Sequence, residues 1–375
     1  MRCALEPNTP ICEKEKPSMV FSSLLFIFYM LVDFLRFFNL IPLTLGNGLY
    51  VILGSVGMVY SILRTNIKRQ KPVFAFLYVY TLCGIIGISL NGNANPQELL
   101  WPFAFLGLAT VLLNFRTSYK VSKRSYYFAV VFIALKIFLA GGVDGLDTVS
   151  SRNTIGIMML IYLSLFAISS YHDERRVSSF PVFIGLLVSI MAVGRSGILT
   201  FAILLSLFFL FEFNGTRHKV RNPLRWFVVI VLFVVLLFLS YRMIEPFFAN
   251  AIYNFERRGL ESVRTQMWAD YLGKTIESPK FVLFGTPING TPLLDWFSHN
   301  LHNSFIMLHA KYGLIALLMI LYLIAGASIY YLKERNYLFL ALLIATFFRM
   351  QFDYTNFNAQ LDIILYFLMF YRYYG

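Results

Sequence analysis

The sequence predicts an all-α polytopic membrane protein with about twelve transmembrane helices and one large outer loop. Hydrophobic residues make up 58% of the 375 positions and charged residues only 14%, with a mean hydropathy of +0.67. Soluble domains carry about 25% charged residues. This composition excludes a soluble enzyme, a nucleic-acid-binding protein and a disordered protein. The three cysteines (Cys3, Cys12 and Cys83) are too few and too badly spaced for a disulfide framework or a zinc site.

Twelve apolar runs are candidate membrane spans, because a helix needs about 20 mostly apolar residues to cross the bilayer core. The runs after residue 335 and the two that flank Gly194–Gly197 are the shortest. The predicted spans are 19–41, 43–63, 72–90, 99–115, 126–141, 154–170, 179–194, 197–213, 226–243, 304–331, 337–349 and 360–373.

The placement of the positive charges predicts the orientation of these spans. Short cytoplasmic loops of membrane proteins are rich in lysine and arginine. With twelve spans, most of the 32 basic residues fall on one side, whereas the short loops 91–98, 142–153 and 350–359 on the other side contain only Arg152. Both termini are therefore predicted to lie in the cytoplasm. The net charge of +13 then reflects membrane topology rather than binding to nucleic acid.

One long loop interrupts this compact pattern. Residues 244–302 are predicted to lie on the non-cytoplasmic side, within a single membrane domain that spans residues 1–375. Because long loops do not follow the charge rule, Arg257, Arg258 and Arg264 need another explanation. Guanidinium groups bind phosphate oxygens bidentately, which favours a phosphate-bearing ligand. A loop that is solvated, or that contacts lipid phosphates, is the alternative.

Two histidines close the loop, each followed by asparagine: His299-Asn300 and His302-Asn303. Histidine titrates near neutral pH and can take a proton from an attacking hydroxyl. At the start of a helix it can equally be a cap or a packing residue. A zinc site at His299, His302 and Asp295 lacks the further carboxylate or cysteine that would complete its ligand set. We therefore expect neither a metal nor a cofactor.

Arg195 is the charged residue within the spans that most suggests a function. It lies between two apolar runs in Gly194-Arg195-Ser196-Gly197, and a charge at the bilayer centre costs at least about 2.5–3.5 kcal/mol. Asp33 and Arg36, three residues apart on the first helix, are expected to neutralise each other.

Three charged residues near the C-terminus are expected to have no direct part in the chemistry. Arg349 lies near a predicted helix end, where it can extend to the membrane surface. Asp353 and Asp362 are predicted at the outer surface, with Asp353 as the candidate partner of Arg349.

Three local motifs, taken in order, resemble those of the O-antigen polymerase and O-antigen ligase superfamily of bacterial surface-polysaccharide assembly. The many spans, the single large outer loop in the C-terminal half and the cytoplasmic termini extend this resemblance over most of the chain. The motifs are Gly194-Arg195-Ser196-Gly197 at the start of an apolar helix, Arg264 with Trp268 followed by Phe284-Gly285, and His302-Asn303-Ser304-Phe305 leading to Tyr312-Gly313-Leu314-Ile315.

The resemblance implies a membrane glycosyltransferase that uses a glycan on undecaprenyl diphosphate as donor and a sugar hydroxyl as acceptor. It implies inversion at the anomeric carbon, without a metal or a nucleotide sugar. Arg195 and Arg264 would hold the diphosphate, and His302 would deprotonate the acceptor hydroxyl. The residues assigned to substrate binding are Arg257, Arg258, His299 and Asn303.

The reaction that we favour is polymerisation of O-antigen or capsular repeat units. The alternatives are the ligase that transfers finished polysaccharide to lipid A core and, in a different class, a twelve-span transporter or flippase. The implied location is the bacterial inner membrane. The implied partners are the lipid-linked glycan, the bilayer, a chain-length regulator and a repeat-unit flippase, with no nucleic acid.

Overall fold

The computed structural model describes residues 16–91, 96–142, 146, 152–214, 217–220, 264–289, 295, 300–357 and 359–374. These residues are almost entirely α-helical. Short 3-10 helices cover Pro96–Leu100 and Tyr371–Tyr373. The α-helices are α1 Lys16–Phe37, α2 Leu43–Arg64, α3 Ile67–Asn91, α4 Trp101–Asn114, α5 Tyr119–Leu139, α6 Arg152–His172, α7 Ser179–Met191, α8 Arg195–Leu210, α9 Arg264–Ile276, α10 Pro279–Phe284, α11 Ser304–Lys333, α12 Tyr337–Phe352 and α13 Asp362–Phe370.

The helical class agrees with an all-α membrane protein. Six helical segments are long and apolar enough to cross a membrane: Pro17–Phe37, Leu43–Arg64, Ile67–Asn91, Pro96–Asn114, Asn153–His172 and Ser304–Lys333. Each predicted span except 226–243, which lies outside the described residues, overlaps a helix. The number of twelve crossings, the extent of the outer loop and the single domain stay predictions.

A small antiparallel sheet accompanies the helices and was not predicted. Its strands are β1 Arg176–Val177, β2 Phe211–Asn214 and β3 Arg217–Val220, in the order β1-β2-β3. Strand β2 continues directly from α8, so the eighth predicted span ends as a strand. The Phe211 ring, which stacks on Tyr337 with a centroid distance of 4.6 Å, holds this strand against the start of α12.

The helix bundle has two chemically different ends. The basic end contains the turns around residues 65, 116, 175 and 335, together with the small sheet. There Ser22 Oγ donates to the Arg116 carbonyl at 2.6 Å, and Arg69 Nη2 donates to the Tyr374 carbonyl at 2.7 Å. The opposite end contains the turn before α8 and the loop between α12 and α13. A group of charged side chains lies there, so we call it the cluster end. The predicted side of the membrane for each end stays a prediction.

Helices α6 and α13 form the centre of the bundle. Within Asn153–His172, 89% of the most apolar stretch is buried, and every residue of α13 is buried. A helix whose side chains are apolar on every face is buried, and α6 and α13 are buried by the other helices of the bundle. The peripheral helix α5 instead exposes Phe128, Val131, Leu135 and Phe138. So continuous an apolar surface suits lipid contact.

The loop between α12 and α13 enters the protein interior. Helix α13 has nine residues and is therefore about 14 Å long, less than half of the bilayer core. Irregular backbone at membrane depth must be covered by protein and hydrogen-bonded internally. Thr355, Asn356 and Phe357 are buried accordingly.

Asp362 supplies the hydrogen-bond acceptors for this buried loop. Its carboxylate accepts from the Phe357 N–H at 2.7 Å, the Ala359 N–H at 3.2 Å and Asn356 Nδ2 at 3.1 Å. The prediction that Asp362 lies at the outer surface is therefore wrong, because this residue is fully buried; Asp353 is partly exposed, and its predicted place at the outer surface stays a prediction. The sequence reasoning missed that short polar segments can turn inward where a following helix is too short to span the membrane.

Replacing Asp362 by alanine should destabilise the protein strongly, because two buried donors and one partly buried donor would lose their acceptor. Each unsatisfied buried donor costs about 1–3 kcal/mol. We expect a clearly lower Tm for Asp362→Ala in thermal unfolding of the detergent-solubilised protein. Asp270→Ala, which removes an exposed carboxylate on α9, should leave Tm within a degree or so of wild type. Equal effects of the two substitutions would contradict this role of Asp362.

Candidate functional site

Five charged or titratable side chains form a cluster at the cluster end of the bundle, here called the arginine cluster. It consists of Arg195, Arg264, His302, Arg349 and Asp353. These residues come from the starts of α8 and α9, the residue before the Asn303 cap of α11, the last turn of α12 and the residue that follows α12. The fold thus brings together the three residues predicted to be catalytic and adds two more.

Asp353 is the central residue of the arginine cluster. One carboxylate oxygen lies 3.5 Å from His302 Nδ1, and the other lies 3.5 Å from Arg349 Nη2. The same Arg349 nitrogen donates to the Asn153 carbonyl at 3.0 Å. The predicted pairing of Arg349 with Asp353 is confirmed, but Arg349 is 1% exposed rather than extended to the membrane surface.

The charges of the arginine cluster influence one another. Burial acts to raise the pKa of Asp353, but the contact with His302 and the charges of Arg349 and Arg264 outweigh it, so this pKa lies below its ordinary value. Burial lowers the pKa of Arg264, Asp353 opposes this effect, and Arg195 adds to it. Arg195 and Arg264 are therefore close enough to repel each other.

Helix α9 holds both segments that carry the His302–Asp353 pair. Arg264 Nη1 donates to the carbonyl of Phe352, the residue before Asp353, at 2.6 Å. Trp268 Nε1 donates to the carbonyl of Leu301, the residue before His302, at 2.7 Å. A spacing of four residues places Arg264 and Trp268 on one face of the helix. This geometry explains the Arg264…Trp268 motif.

The duplicated His-Asn sequence has a structural explanation. The side chain of Asn300 accepts from the His302 N–H at 2.8 Å and supports a left-handed backbone at His302, with φ of 50°. Asn303 caps α11, because its side-chain oxygen accepts from the N–H groups of Phe305 and Ile306. Its amide nitrogen donates to the Gln351 carbonyl at 3.2 Å. Asn303 thus has a structural role, and its predicted contact with substrate stays a prediction.

Ser304 fixes the position of Asp353 from the opposite side. Its hydroxyl donates to the Asp353 carbonyl at 2.8 Å and accepts from the N–H groups of Thr355 and Asn356. The His302–Phe305 motif therefore supplies the titratable histidine, the helix cap and the serine that holds the facing loop.

The Gly194–Gly197 motif places Arg195 in the first position of α8. Gly197 lies against Gly156 of α6, where a Cβ atom would be 3.4 Å from the facing Cα. This close approach brings the start of α8 beside Asn153, and Ser196 Oγ lies 3.3 Å from Asn153 Oδ1. The N-terminus of a helix carries partial positive charge, which adds to the positive potential near Arg195.

The segment around α10, which belongs to the predicted outer loop, docks onto a break in α11. The backbone of Gly313 is non-helical, with φ of 76°, and Gly285 has φ of 92°. A Cβ at Gly285 would lie 2.4 Å from the Ala310 carbonyl oxygen, so both positions need glycine. His309 holds this contact: its ring nitrogens lie 2.6 Å from Tyr271 Oη and 2.8 Å from the Val282 carbonyl.

The expected pair of Asp33 and Arg36 on α1 is replaced by another arrangement. Asp33 accepts hydrogen bonds from the Tyr162 hydroxyl at 2.5 Å, the Tyr50 hydroxyl at 2.8 Å and Gln360 Nε2 at 2.9 Å. Within the part of the chain that the structure describes, no direct ion pair joins Asp33 to Arg36. Buried hydroxyl donors surround the carboxylate and leave the arginine to face a cavity.

Three of the predicted site residues, Arg257, Arg258 and His299, lie outside the described residues. Of the predicted zinc alternative, Asp295 and His302 are described and His299 is not. Among the described residues, no group of three or more His, Cys, Asp or Glu side chains is arranged to hold a metal ion.

No family model matches the chain, and a comparison with curated proteins found no match. The resemblance to the O-antigen polymerase and ligase superfamily therefore rests on the sequence motifs and the predicted span pattern alone.

Sequence reasoning did not assign Arg349 and Asp353 to the site. Their spacing of four residues did indicate a pair. However, we assumed that a cation near a helix end extends to the surface, and the burial of Arg349 was therefore not predicted. That burial depends on the packing of α8 and α6 against α12.

The stability provided by Asp353 should depend on pH. Its lowered pKa means that the charged carboxylate stabilises the folded protein fully above about pH 4, the ordinary aspartate value, and that this stabilisation disappears as pH falls through the lower folded-state pKa. Asp353→Asn should cost about 3 kcal/mol at pH 7, because Arg349 would be buried without a counter-charge.

Thermal unfolding of wild type and Asp353→Asn at several pH values between 7 and 3 would measure this effect. We expect a large difference in Tm at pH 7 that narrows below pH 4. The exposed control Asp270→Asn should show no such trend. A difference between wild type and Asp353→Asn that stays constant down to pH 3 would contradict the proposed ionic role.

Proposed function

We propose that this protein joins undecaprenyl-diphosphate-linked oligosaccharide repeat units into O-antigen or capsular polysaccharide. The main support for this proposal is that three guanidinium groups lie close to one another and to His302, which has the Asp353 carboxylate 3.5 Å from its Nδ1 atom. Arg195, Arg264 and Arg349 contribute three positive charges and Asp353 one negative charge, so two positive charges remain in excess. Diphosphate is an anion that such a group binds well.

The hydrogen-bonding capacity of Arg349 also supports an anionic ligand. Its Nε and Nη1 atoms are buried and have no hydrogen-bond partner among the described residues. Buried donors without partners are costly, and an anion bound nearby would relieve that cost.

In the proposed reaction, a hydroxyl oxygen of the acceptor sugar attacks the anomeric carbon of the donor sugar. The bond between that carbon and the diphosphate oxygen breaks, and its electron pair remains on the diphosphate. Arg195 and Arg264 stabilise the negative charge that develops there. His302 takes the proton of the attacking hydroxyl, and direct displacement inverts the anomeric configuration.

Asp353 gives His302 the arrangement that a general base needs. The Asp353 carboxylate lies 3.5 Å from His302 Nδ1. A negative charge at this distance favours a proton on Nδ1 and stabilises the cation formed after proton transfer. The Nε2 atom is then the one that receives the hydroxyl proton.

The proposed location is the bacterial inner membrane, with the basic end in the cytoplasm and the arginine cluster on the opposite side. The apolar surface of α5 supports contact with the bilayer. A repeat-unit flippase would deliver the substrate to that side, and a chain-length regulator would limit the product.

Removing a single cluster side chain should abolish polymer formation. Arg195→Ala, Arg264→Ala and His302→Ala should each reduce the rate about 10²–10³-fold, as for other groups that stabilise a transition state. The measurement is polymer length on gels of cell-surface polysaccharide from a complemented deletion strain, with membrane insertion verified by immunoblot. Arg175→Ala, which removes an exposed arginine at the basic end, is the matched control and should support full-length polymer.

Full-length polymer from the Arg264→Ala and His302→Ala strains would refute the site assignment. The deletion strain itself separates polymerase from ligase. Lipopolysaccharide core that carries a single repeat unit indicates a missing polymerase, whereas core without any repeat unit indicates a missing ligase. Loss of lipid-linked repeats from the outer face of the membrane would instead indicate a flippase.

The reaction should not require a divalent metal, because guanidinium groups supply the positive charge for the leaving diphosphate. Purified protein reconstituted with its lipid-linked repeat unit should form polymer at an unchanged rate in excess EDTA. A rate that falls with EDTA and recovers on addition of Mg²⁺ or Mn²⁺ would contradict this part of the mechanism.

A further inference from the structure

A cavity of about 290 Å³ lies beside the arginine cluster and has no role in the reaction described above. Ligand sites start at roughly 300 Å³, so this volume suits a group of the size of one or two sugar rings. Residues from α1, α2, α4 and α6 and from the loop between α12 and α13 enclose it; its polar members include Asp33, Arg36, Thr154, Thr355 and Gln360.

Two chain segments connect this cavity to the arginine cluster. Thr154 follows Asn153, whose carbonyl oxygen accepts from Arg349. Tyr354 and Thr355 follow Asp353, which contacts His302. A molecule whose diphosphate lies at the arginine cluster can therefore extend its neighbouring groups into the cavity.

The polar lining offers both hydrogen-bond donors and acceptors. The amide nitrogen of Gln360 donates to Asp33 and Tyr50, at 2.9 Å and 3.1 Å, and its carbonyl oxygen is an acceptor group in the lining. Arg36 contributes donors, and its buried Nε atom has no hydrogen-bond partner among the described residues. Sugar hydroxyls donate and accept at once and match such a mixed lining.

Aromatic rings form another part of the lining. Trp101 lines the cavity and stacks on Phe105, with a centroid distance of 5.6 Å and an angle of 5° between the ring planes. The negative face of an aromatic ring attracts the polarised C–H groups on the apolar face of a pyranose. Lys311 positions a second ring, because its ammonium group pairs with Glu98 at 2.7 Å and lies 3.3 Å from Tyr354 Oη.

We propose that this cavity is a subsite for an uncharged sugar ring of the lipid-linked glycan, adjacent to the reacting centre. The proposal rests on the proposed function, because the diphosphate at the arginine cluster determines which sugar reaches the cavity. Arg36 and Asp33 carry opposite charges, so the subsite has no excess charge to select a second phosphate.

Photo-crosslinking in the native host tests this subsite with the cell's own substrate. A benzoylphenylalanine is introduced at Leu43, an exposed residue that lines the cavity, and in a second strain at Leu45, which is also exposed and does not line it. After irradiation, the protein is purified, treated with mild acid to release lipid diphosphate and digested, and the crosslinked peptides are weighed by mass spectrometry. Periodate sensitivity identifies attached sugar.

We expect peptides carrying sugar units from position 43 and only lipid adducts from position 45. Trp101→Leu and Gln360→Leu should each lower the yield of sugar adduct at position 43 about five- to tenfold, the loss expected for one good contact. Trp101→Phe keeps an aromatic face and should retain most of the yield, which separates ring stacking from general damage to the fold.

Several outcomes would overturn the subsite. These are the absence of sugar adducts at position 43, equal sugar adducts at both positions, and an unchanged yield with Trp101→Leu. If the His302→Ala strain has lost polymer in the same background, the proposed reaction stands and the subsite alone fails. If polymer persists in that strain, the proposed function fails independently of the crosslinking result.

Discussion

The structure of the candidate site depends on one partly buried carboxylate. Asp353 lies between His302 and Arg349 and balances one of three guanidinium charges. Arg264 and Ser304 hold its backbone through the carbonyl groups of Phe352 and Asp353. This negative charge offsets part of the mutual repulsion of the three arginines and part of the desolvation cost of the buried Arg349. Because Asp353 supplies one negative charge against three positive charges, the arginine cluster keeps a positive excess that an anion can neutralise.

The need to position Asp353 also explains why the loop between α12 and α13 turns into the protein. The loop continues from the partly buried Asp353 into the protein interior at Thr355, Asn356 and Phe357, and its N–H groups there need internal acceptors. Ser304 and Asp362 supply them. One face of this loop contacts the arginine cluster, and the other lines the polar cavity. The loop is thus placed to contact both the diphosphate and the adjoining sugar in the proposed substrate.

Much of the helical pattern and part of the site could be predicted from the sequence. Apolar runs locate the helices because both the lipid and the protein core require apolar side chains. The motifs that contain Arg195, Arg264 and His302 lie close together in the structure. The burial of Arg349 could not be predicted, because a charged residue near a helix end has the same local sequence whether it reaches the surface or packs inside. Asn303 illustrates the opposite problem: a polar residue beside a candidate base can be a helix cap.

The central claim is that the positive excess at the arginine cluster holds a lipid diphosphate. Native mass spectrometry of the purified protein, titrated with undecaprenyl diphosphate and with undecaprenyl monophosphate, tests it most directly. Wild type should bind the diphosphate at least tenfold more tightly. Arg349→Met, which keeps the side-chain volume but removes the charge, should lose most of that preference. Equal affinity of wild type for the two lipids, or an unchanged preference in Arg349→Met, would contradict the account.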